Sequence, residues 1–406
     1  MSAWNGRRLH FVGIAGAGLS AYALAAKALG AHVTGSDRAE SPYLARVREA
    51  GIAPSIGHDA ANLPAGEDAE LVVSTAIPQG NPEIAAAAER GLKVFSRAEF
   101  LAELTREKRT IGVAGAHGKT TTTAMIAFVL AELGLDPAWL VGGEIAQLGG
   151  NAGAGEGWLV VEGDESDRTV ERLRPEIAVV TNVELDHHST FGSETEVAEM
   201  FERWLGEVPQ VVRGWELEPA SIELLVPGTH NRSNAASALA ALELAGVARG
   251  DAAPVLARFT GAGRRFELVG EAKRVTVVDD YAHHPSEIAA TVAAARERTD
   301  GRVLVLFQPH LYSRTRHLAH ELGAALSTAD AACVTEIYPA REQPVAGVTG
   351  KLVVDSLRPG LRSGWAPSVE DGVKLVASWA RPGDLVLTVG AGDVDRAGRL
   401  LLEALA

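Results

Sequence analysis

The chain has 406 residues, 47% of them hydrophobic and 22% charged, with a formal net charge of -14. That balance excludes a disordered chain, and the length points to two or three domains. The acidic excess argues against a general nucleic-acid surface, where affinity rests on Lys and Arg against phosphates, but it leaves room for phosphate ligands held at one local site.

No apolar run is long enough to span a bilayer, because Gly or charge breaks each one. A strand and a glycine turn begin at once in MSAWNGRRLHFVGIAG, where a signal peptide needs an h-region and a cleavage site. Cys333 is the only cysteine, so no intramolecular disulfide forms, which suits a reducing cytoplasm.

Strand-like apolar runs alternate with Ala/Leu/Glu/Arg-rich helical stretches almost throughout, which predicts parallel sheets with helical crossovers. LHFVGI reads as a buried strand and SAYALAAKALG as a helix ending at Gly30. HVTGSD and LVVSTAI read as further strands, and the charged AELTREKR as a linker. Between the first strand and helix, Gly16-x-Gly18-x-x-Ala21 satisfies the dinucleotide fingerprint, with Asp37 19 residues beyond Gly18. A dinucleotide, another diphosphate and a ligand-free tight turn all fit that pattern.

A second block opens with TIGVAGAHGKT, read as strand, glycine loop and helix. Backbone N–H groups of such a loop bind phosphate oxygens, and the helix N-terminus adds partial positive charge. Lys119 would neutralise the β- and γ-phosphates and Thr120 would offer its hydroxyl to Mg²⁺. The longer G-x-x-x-x-G-K-[ST] pattern fails at Val113, so an ordinary glycine turn stays open on this loop alone. EGDESD (162–167) and TNVELDHH (181–188) follow strands in the same block, and their carboxylates and imidazoles suit a hard cation beside a triphosphate. Each cluster singly reads as an exposed acidic loop; together, after a phosphate loop, they favour Mg²⁺–ATP. GTHNRSNA (228–235) offers His and Asn to an adenine, and GRRF (263–266) sets two arginines at a domain junction. A third block places DDYAHHP (279–285) and FQPHLYSRTR (307–316) at strand ends, where parallel sheets gather ligands.

In this order, with YPAREQPVAGVTG after them, the motifs closely resemble the Mur ligase family over nearly the whole chain. The resemblance implies an α/β fold of three domains. These are a Rossmann-like N-terminal domain (1–107) for the UDP substrate, a P-loop ATPase-like central domain (108–262) for ATP, and a Rossmann-like C-terminal domain (263–406) for the amino acid. It further implies ATP-dependent joining of L-alanine to the lactyl carboxylate of UDP-N-acetylmuramate through an acyl phosphate, with ATP and two Mg²⁺. The implied setting is the cytoplasm and the implied state a monomer or weak homodimer, with neither nucleic acid nor membrane as partner.

Residue by residue, the resemblance places Gly16 and Gly18 at the diphosphate, and Ser36, Asp37 and Ser74 in the UDP pocket. Gly115, Ala116, His117, Gly118, Lys119, Thr120 and Thr121 take the ATP phosphates. Thr120, Glu162 and His187 take the metals. His230, Asn231 and Asn234 take adenine, Arg265 reaches the nucleotide, and Asp280 lies near ribose or γ-phosphate. Tyr281, His283, His310 and Arg314 shape the muramoyl–alanine site, and Lys119, Glu162, His187, Arg265 and His310 form the catalytic set.

Three departures stand out. Only 42 residues separate His187 from His230, about half of what the resemblance implies, so the central domain is expected to be smaller with an incomplete edge. Ser189 stands where an acid is common, and Leu311 where Arg is common. Two rival enzymes, a ligase attaching recycled tripeptide and an NAD-dependent oxidoreductase, leave FQPHLYSRT and the GKT loop respectively unexplained, and a non-catalytic nucleotide-binding module is the third alternative.

Overall fold

The computed structural model describes residues 4–74, 76–186, 190–340 and 342–406. They form two compact units: one runs up to Val183 and adds Ala198–Glu216 and Ser237–Leu256, and the other holds Glu184–Val197, Leu217–Ala236 and Ala257–Ala406.

The first unit carries two sheets. In one, β1 (Arg8–Val12), β2 (His32–Asp37), β3 (Ser55–Ile56), β4 (Ala69–Val73) and β5 (Lys93–Ser96) are all parallel, in the order β3-β2-β1-β4-β5. Strand order reverses at β1, so the crevice at the carboxyl ends of β1 and β4 is where such a sheet takes ligand. The helix Ala17–Ala28 follows β1 and ends as expected, with Gly30 at φ +95°. The stretch AELTREKR is no linker. The helix Arg97–Glu107 runs through most of it, because Ser96 and Glu99 form a capping box and Ala102, Leu104 and Thr105 are buried.

The other sheet of this unit comprises β6 (Thr110–Ala114), β7 (Ala138–Ile145), β8 (Gly150–Gly153), β9 (Leu159–Glu162), β10 (Ile177–Val180) and β11 (Gln210–Arg213). Its order is β11-β10-β6-β9-β7-β8, and only β8 is antiparallel to its neighbour. The helix Lys119–Glu132 after β6 opens on four threonines, which are poor helix formers. Every residue from Thr120 to Leu130 is nevertheless buried, so packing overrides propensity.

The second unit holds β12 (Glu267–Ala272), β13 (Val275–Asp280), β14 (Val303–Phe307), β15 (Ala331–Val334), β16 (Arg362–Trp365) and β17 (Leu385–Val389). They lie in the order β12-β13-β17-β14-β15-β16, with β12 alone antiparallel. Alternate residues enter different cores: Val278, Val305, Phe307 and Leu387 one, Val277, Leu304, Leu306 and Val386 the other. Burial on both faces explains why these strands read as unbroken apolar runs. No helix among the described residues is long and apolar enough to cross a membrane.

The β1–β5 sheet depends on one aromatic and one carboxylate. Phe100 is fully buried, and its ring meets Trp4, Phe11 and Phe95 edge-on with centroids 5.2, 5.3 and 6.1 Å away. Phe100→Ala is expected to cost roughly 3–5 kcal/mol, since the surrounding rings cannot collapse into the space; a loss under 1 kcal/mol by urea unfolding would contradict this packing.

Glu83 is fully buried yet ionised. Its carboxylate accepts from Ser36 Oγ at 2.6 Å and Asn62 Nδ2 at 2.7 Å, lies 3.2 Å from His58 Nδ1, and has His10 Nε2 at 3.9 Å. Burial alone would raise its pKa, but His10, Ser36 and Asn62 outweigh that and bring it down to about 2. The folded value is depressed, so the stabilisation is present above the ordinary value of 4.5 and is lost as pH falls from there towards 2. Glu83→Gln should therefore cost roughly 3 kcal/mol at pH 7. By denaturant unfolding the gap to the wild type should close between pH 4.5 and 2; a gap independent of pH would remove the linkage.

Candidate functional site

The glycine turn after β1 is built on β2. Gly13 and Ile14 donate their N–H groups to Ser36 O at 2.8 and 3.1 Å, and Ala15 N–H donates to Asp37 Oδ2 at 2.9 Å. The glycine this turn requires is Gly13, which the fingerprint did not single out. Its φ is +94°, and an added Cβ would stand 3.0 Å from that of Ser74. Gly16, at φ -74°, instead caps the following helix, and Gly18 lies against the Arg97 guanidinium. Ser74 sits at the end of β4 and accepts from Ala76 N–H; Thr75, in the same STAIP segment, lies outside the described residues. Ser36 is a correction. It is fully buried, its hydroxyl donates to Glu83 and its carbonyl holds the turn, so it positions the pocket from behind.

The GKT loop after β6 lies between the ends of β9 and β10, where its sheet also reverses order. Gly115 has φ +124°, and a Cβ there would meet Thr181 Oγ1 at 2.3 Å. Gly118 turns left-handed at φ +79° to start the helix Lys119–Glu132. Asn182 fastens the loop: its carbonyl takes Ala116 N–H, its Oδ1 takes His117 N–H at 2.9 Å, and its Nδ2 donates to His117 O at 2.9 Å. Two of the loop's phosphate candidates, Ala116 and His117, thus have their N–H groups in structural bonds to Asn182.

Lys119 is enclosed by acids. Its Nζ donates to Glu165 Oε1 at 3.0 Å and to the carbonyls of Gly115 and Ala116 at 2.6 and 3.1 Å. Burial lowers its pKa, but Glu165, then Asp164 and Glu162, outweigh it and hold the ammonium above its ordinary range. Thr120 Oγ1 donates to Glu162 Oε2 at 3.1 Å, and Gly142 N–H fixes Glu162 Oε1 at 2.6 Å. A hydroxyl and a carboxylate side by side form the all-oxygen donor set that suits Mg²⁺. His187, expected as a further ligand, lies outside the described residues. Glu165 and Asn182 were not singled out as site residues, although both sit in quoted motifs; only the fold shows which acid faces the lysine.

The second unit gathers the remaining candidates. Asn231 is buried and its Nδ2 donates to Pro227 O at 2.7 Å, while Asn234 Nδ2 reaches Asn231 Oδ1 at 3.3 Å. Burial lowers the pKa of His230, which packs against Gly228. The twin arginines of GRRF part company. Arg264 is used structurally, donating to Asp279 at 2.9 Å and to Gly390 O at 2.7 Å, whereas Arg265 stands 3.9 Å from Glu287 with its guanidinium 5.0 Å from the Tyr281 ring centre. Asp280 ends β13 and accepts from Phe266 and Ala282 N–H, each at 2.8 Å; burial still pushes its pKa up to about 6 against Arg265.

Tyr281, His283, His310 and Tyr338 form a run of ring contacts with centroids 5.4, 5.9 and 5.8 Å apart. Burial lowers the pKa of His283 to about 4, so it is neutral at pH 7. Arg314 differs from expectation. Its Nε and Nη2 hold Asp186 at 3.1 and 2.9 Å with both side chains 5% exposed, and its Nη1 donates to His310 Nδ1 at 3.2 Å. A guanidinium only donates, so neutral His310 carries its proton on Nε2. Arg314 thus orients His310 and is itself clamped by Asp186, an acid of TNVELDHH that was not among the named candidates.

Models of the three Mur ligase domains match successive stretches: the Mur ligase family catalytic domain over residues 8–109, the Mur ligase middle domain over 113–211, and the glutamate ligase domain over 264–392. The UDP-N-acetylmuramate–L-alanine ligase of Streptomyces coelicolor is 42% identical, covering 98% of this chain and 97% of the relative. That of Rubrobacter xylanophilus is also 42% identical, over 98% and 100%. The first of these alignments runs over 451 positions, more than the 406 residues here, in line with a chain shortened relative to that ligase. Among solved structures, the UDP-N-acetylmuramate–alanine ligase MurC of Thermotoga maritima matches with a TM-score of 0.80 at 29% identity, covering 98% of both chains. A murein peptide ligase of Psychrobacter arcticus matches at 0.65 and 25% identity over 98% and 99%. With three α/β sheets, a glycine loop at the order reversal of the second, three successive family matches and a relative 42% identical over 98% of its length, the chain belongs to the Mur ligase family.

Proposed function

We propose that this chain joins L-alanine to the lactyl carboxylate of UDP-N-acetylmuramate at the expense of ATP, in peptidoglycan precursor synthesis. The observation that carries the reading is the Lys119 loop, with its lysine paired to Glu165, beside the Thr120–Glu162 oxygen pair, in a chain that matches ligases of that name over 98% of its length. Residues 1–107 would hold the UDP part, 108–262 the ATP phosphates and 263–406 the amino acid. Its setting is proposed as the cytoplasm and its state as a monomer or weak homodimer.

A carboxylate is a poor electrophile. It becomes one by attacking the γ-phosphorus of ATP, which gives an acyl phosphate and ADP; the neutral amine of alanine then attacks the acyl carbon, and phosphate leaves. The Lys119 ammonium stays charged in its ring of acids and is the group that meets the transferring phosphoryl oxygens. Thr120 and Glu162 would hold Mg²⁺, which when bound draws negative charge away from the phosphoryl group. A second ion with His187 belongs to the same reading. His230, Asn231 and Asn234 are proposed for adenine, Arg265 and Asp280 for the nucleotide. Tyr281, His283 and His310 are proposed for the muramoyl–alanine end, with Arg314 acting through His310.

The deciding assay is phosphate release from ATP with UDP-N-acetylmuramate, with and without L-alanine, and mass spectrometry of the product. Alanine-dependent release with an amide product is expected. Release indifferent to alanine, or a product formed only with tripeptide, would overturn the reading. Lys119→Ala is expected to lower the rate roughly 1000-fold or more while unfolding stays cooperative.

A further inference from the structure

Two neighbouring histidines of the second unit are held in opposite tautomers. The His283 and His310 rings lie 5.9 Å apart at 62° to one another. His283 Nδ1 stands 3.0 Å from Tyr281 O. A carbonyl oxygen only accepts, so Nδ1 carries the proton of the neutral ring and Nε2 keeps the lone pair. His310 is the reverse: its Nδ1 accepts from Arg314 Nη1 at 3.2 Å, which leaves the proton on Nε2. One ring thus offers an acceptor at Nε2 and its neighbour a donor.

Both rings are fixed from several sides. Tyr281 meets His283 edge-on at 5.4 Å, and Glu287 Oε2 accepts the His283 backbone N–H at 3.0 Å. Tyr338 stacks on His310 with the planes 12° apart. Its backbone is stitched to the same segment, donating to Pro309 O at 2.8 Å and accepting from Leu311 N–H at 3.0 Å. Leu311, next to His310, is forced to φ +71° and its carbonyl is held by the Thr315 hydroxyl at 2.8 Å. A leucine stays in that region only where its neighbours over-determine it, and such strain gathers at functional sites.

Amide formation requires the alanine nitrogen to lose a proton, and most acceptors of this unit's cluster are already engaged. Asp280 accepts from two backbone N–H groups, Glu287 from those of His283 and His284, and Asp186 from Arg314. The His310 lone pair is spent on Arg314. His283 Nε2 takes no hydrogen bond among the described residues, and the side chain is 16% exposed. We propose that His283, through Nε2, takes the proton of the alanine nitrogen as the amide forms. This rests on the ligase reading above and gives His283 a role in the chemistry beyond shaping the site. The amine's electron pair makes the C–N bond while the carbonyl pair moves onto oxygen, and the nitrogen, now cationic, gives one proton to Nε2. The oxygen pair then returns, the bond from carbon to the phosphate oxygen breaks, and phosphate leaves with that pair. Burial, opposed by Glu287 and Asp186 and aided by Arg314, holds the His283 pKa at about 4. The lone pair is therefore available at pH 7, and the imidazolium readily returns its proton to water.

The test compares the full chain with His283→Ala and His283→Gln, each given ATP and UDP-N-acetylmuramate. One arm measures amide formation with L-alanine. The other traps the acyl phosphate as a hydroxamate with hydroxylamine, whose nitrogen is uncharged near pH 7 and needs no enzymatic base. In both variants kcat for the amide should fall roughly 100-fold or more, the usual share of a positioned base. KM for alanine and the rate of hydroxamate formation should stay as in the wild type. Glutamine accepts a hydrogen bond but no proton, so a His283→Gln chain with the wild-type amide rate overturns the proposal. So does a raised KM with unchanged kcat, which marks a binding group, or an equal loss of hydroxamate, which marks a structural one. A wild-type chain that yields neither amide nor hydroxamate takes down the ligase reading, and the proposal with it.

Discussion

A charged lysine placed below the surface has to be surrounded by acceptors, and the central site is organised by that requirement. Lys119 begins a helix in which Thr120–Leu130 are all buried, and its own side chain is only 20% exposed, so its ammonium is largely withdrawn from water. Glu165 pairs with it directly, two loop carbonyls accept from it, and Asp164 and Glu162 add to the field. The same acids reach the loop from the end of β9, and Asn182 ties the loop down from the end of β10. One cation thus explains why three neighbouring strand ends carry the polar residues they do. A phosphate entering this loop meets a charge already desolvated and oriented, so little reorganisation is required of the protein.

The sheets repeat one geometric solution. β1 and β6 each lie where strand order reverses, and each is followed by a glycine-rich turn into a helix. Helices cannot cover the crevice at such a point, so backbone N–H groups face a gap able to admit a phosphate. In the third sheet the polar residues again gather at carboxyl ends, with Asp280 closing β13 and His310 after β14, but side chains replace the glycine turn there. Burial then sets their chemistry: His283 is held neutral and Asp280 is raised towards neutrality.

Several polar residues that look like ligands act one layer behind the site. Ser36 is consumed by Glu83 and the glycine turn, Arg264 by Asp279 and the Gly390 carbonyl, and Arg314 by Asp186. Each is a strong hydrogen-bonding group that would be costly to bury without partners. Their partners lie 47, 15 and 128 residues away along the chain. Such residues fix neighbouring backbone and rings, as Arg314 does for His310.

The sequence by itself determined the α/β class, nearly every strand quoted, both glycine turns and the order of the motifs. These features are local: a parallel strand buried on both faces is a continuous apolar run, and a loop that binds phosphate needs glycine within a few residues of a helix start. Only the tertiary structure decided which glycine bears the strain after β1, which acid of EGDESD holds Lys119, and that the charged AELTREKR is mostly helix. It also decided which arginine of GRRF is spent internally, and that Arg97 stands beside Gly18. Those outcomes depend on which distant groups meet, and identical side chains a residue or two apart differ only in the direction the backbone gives them.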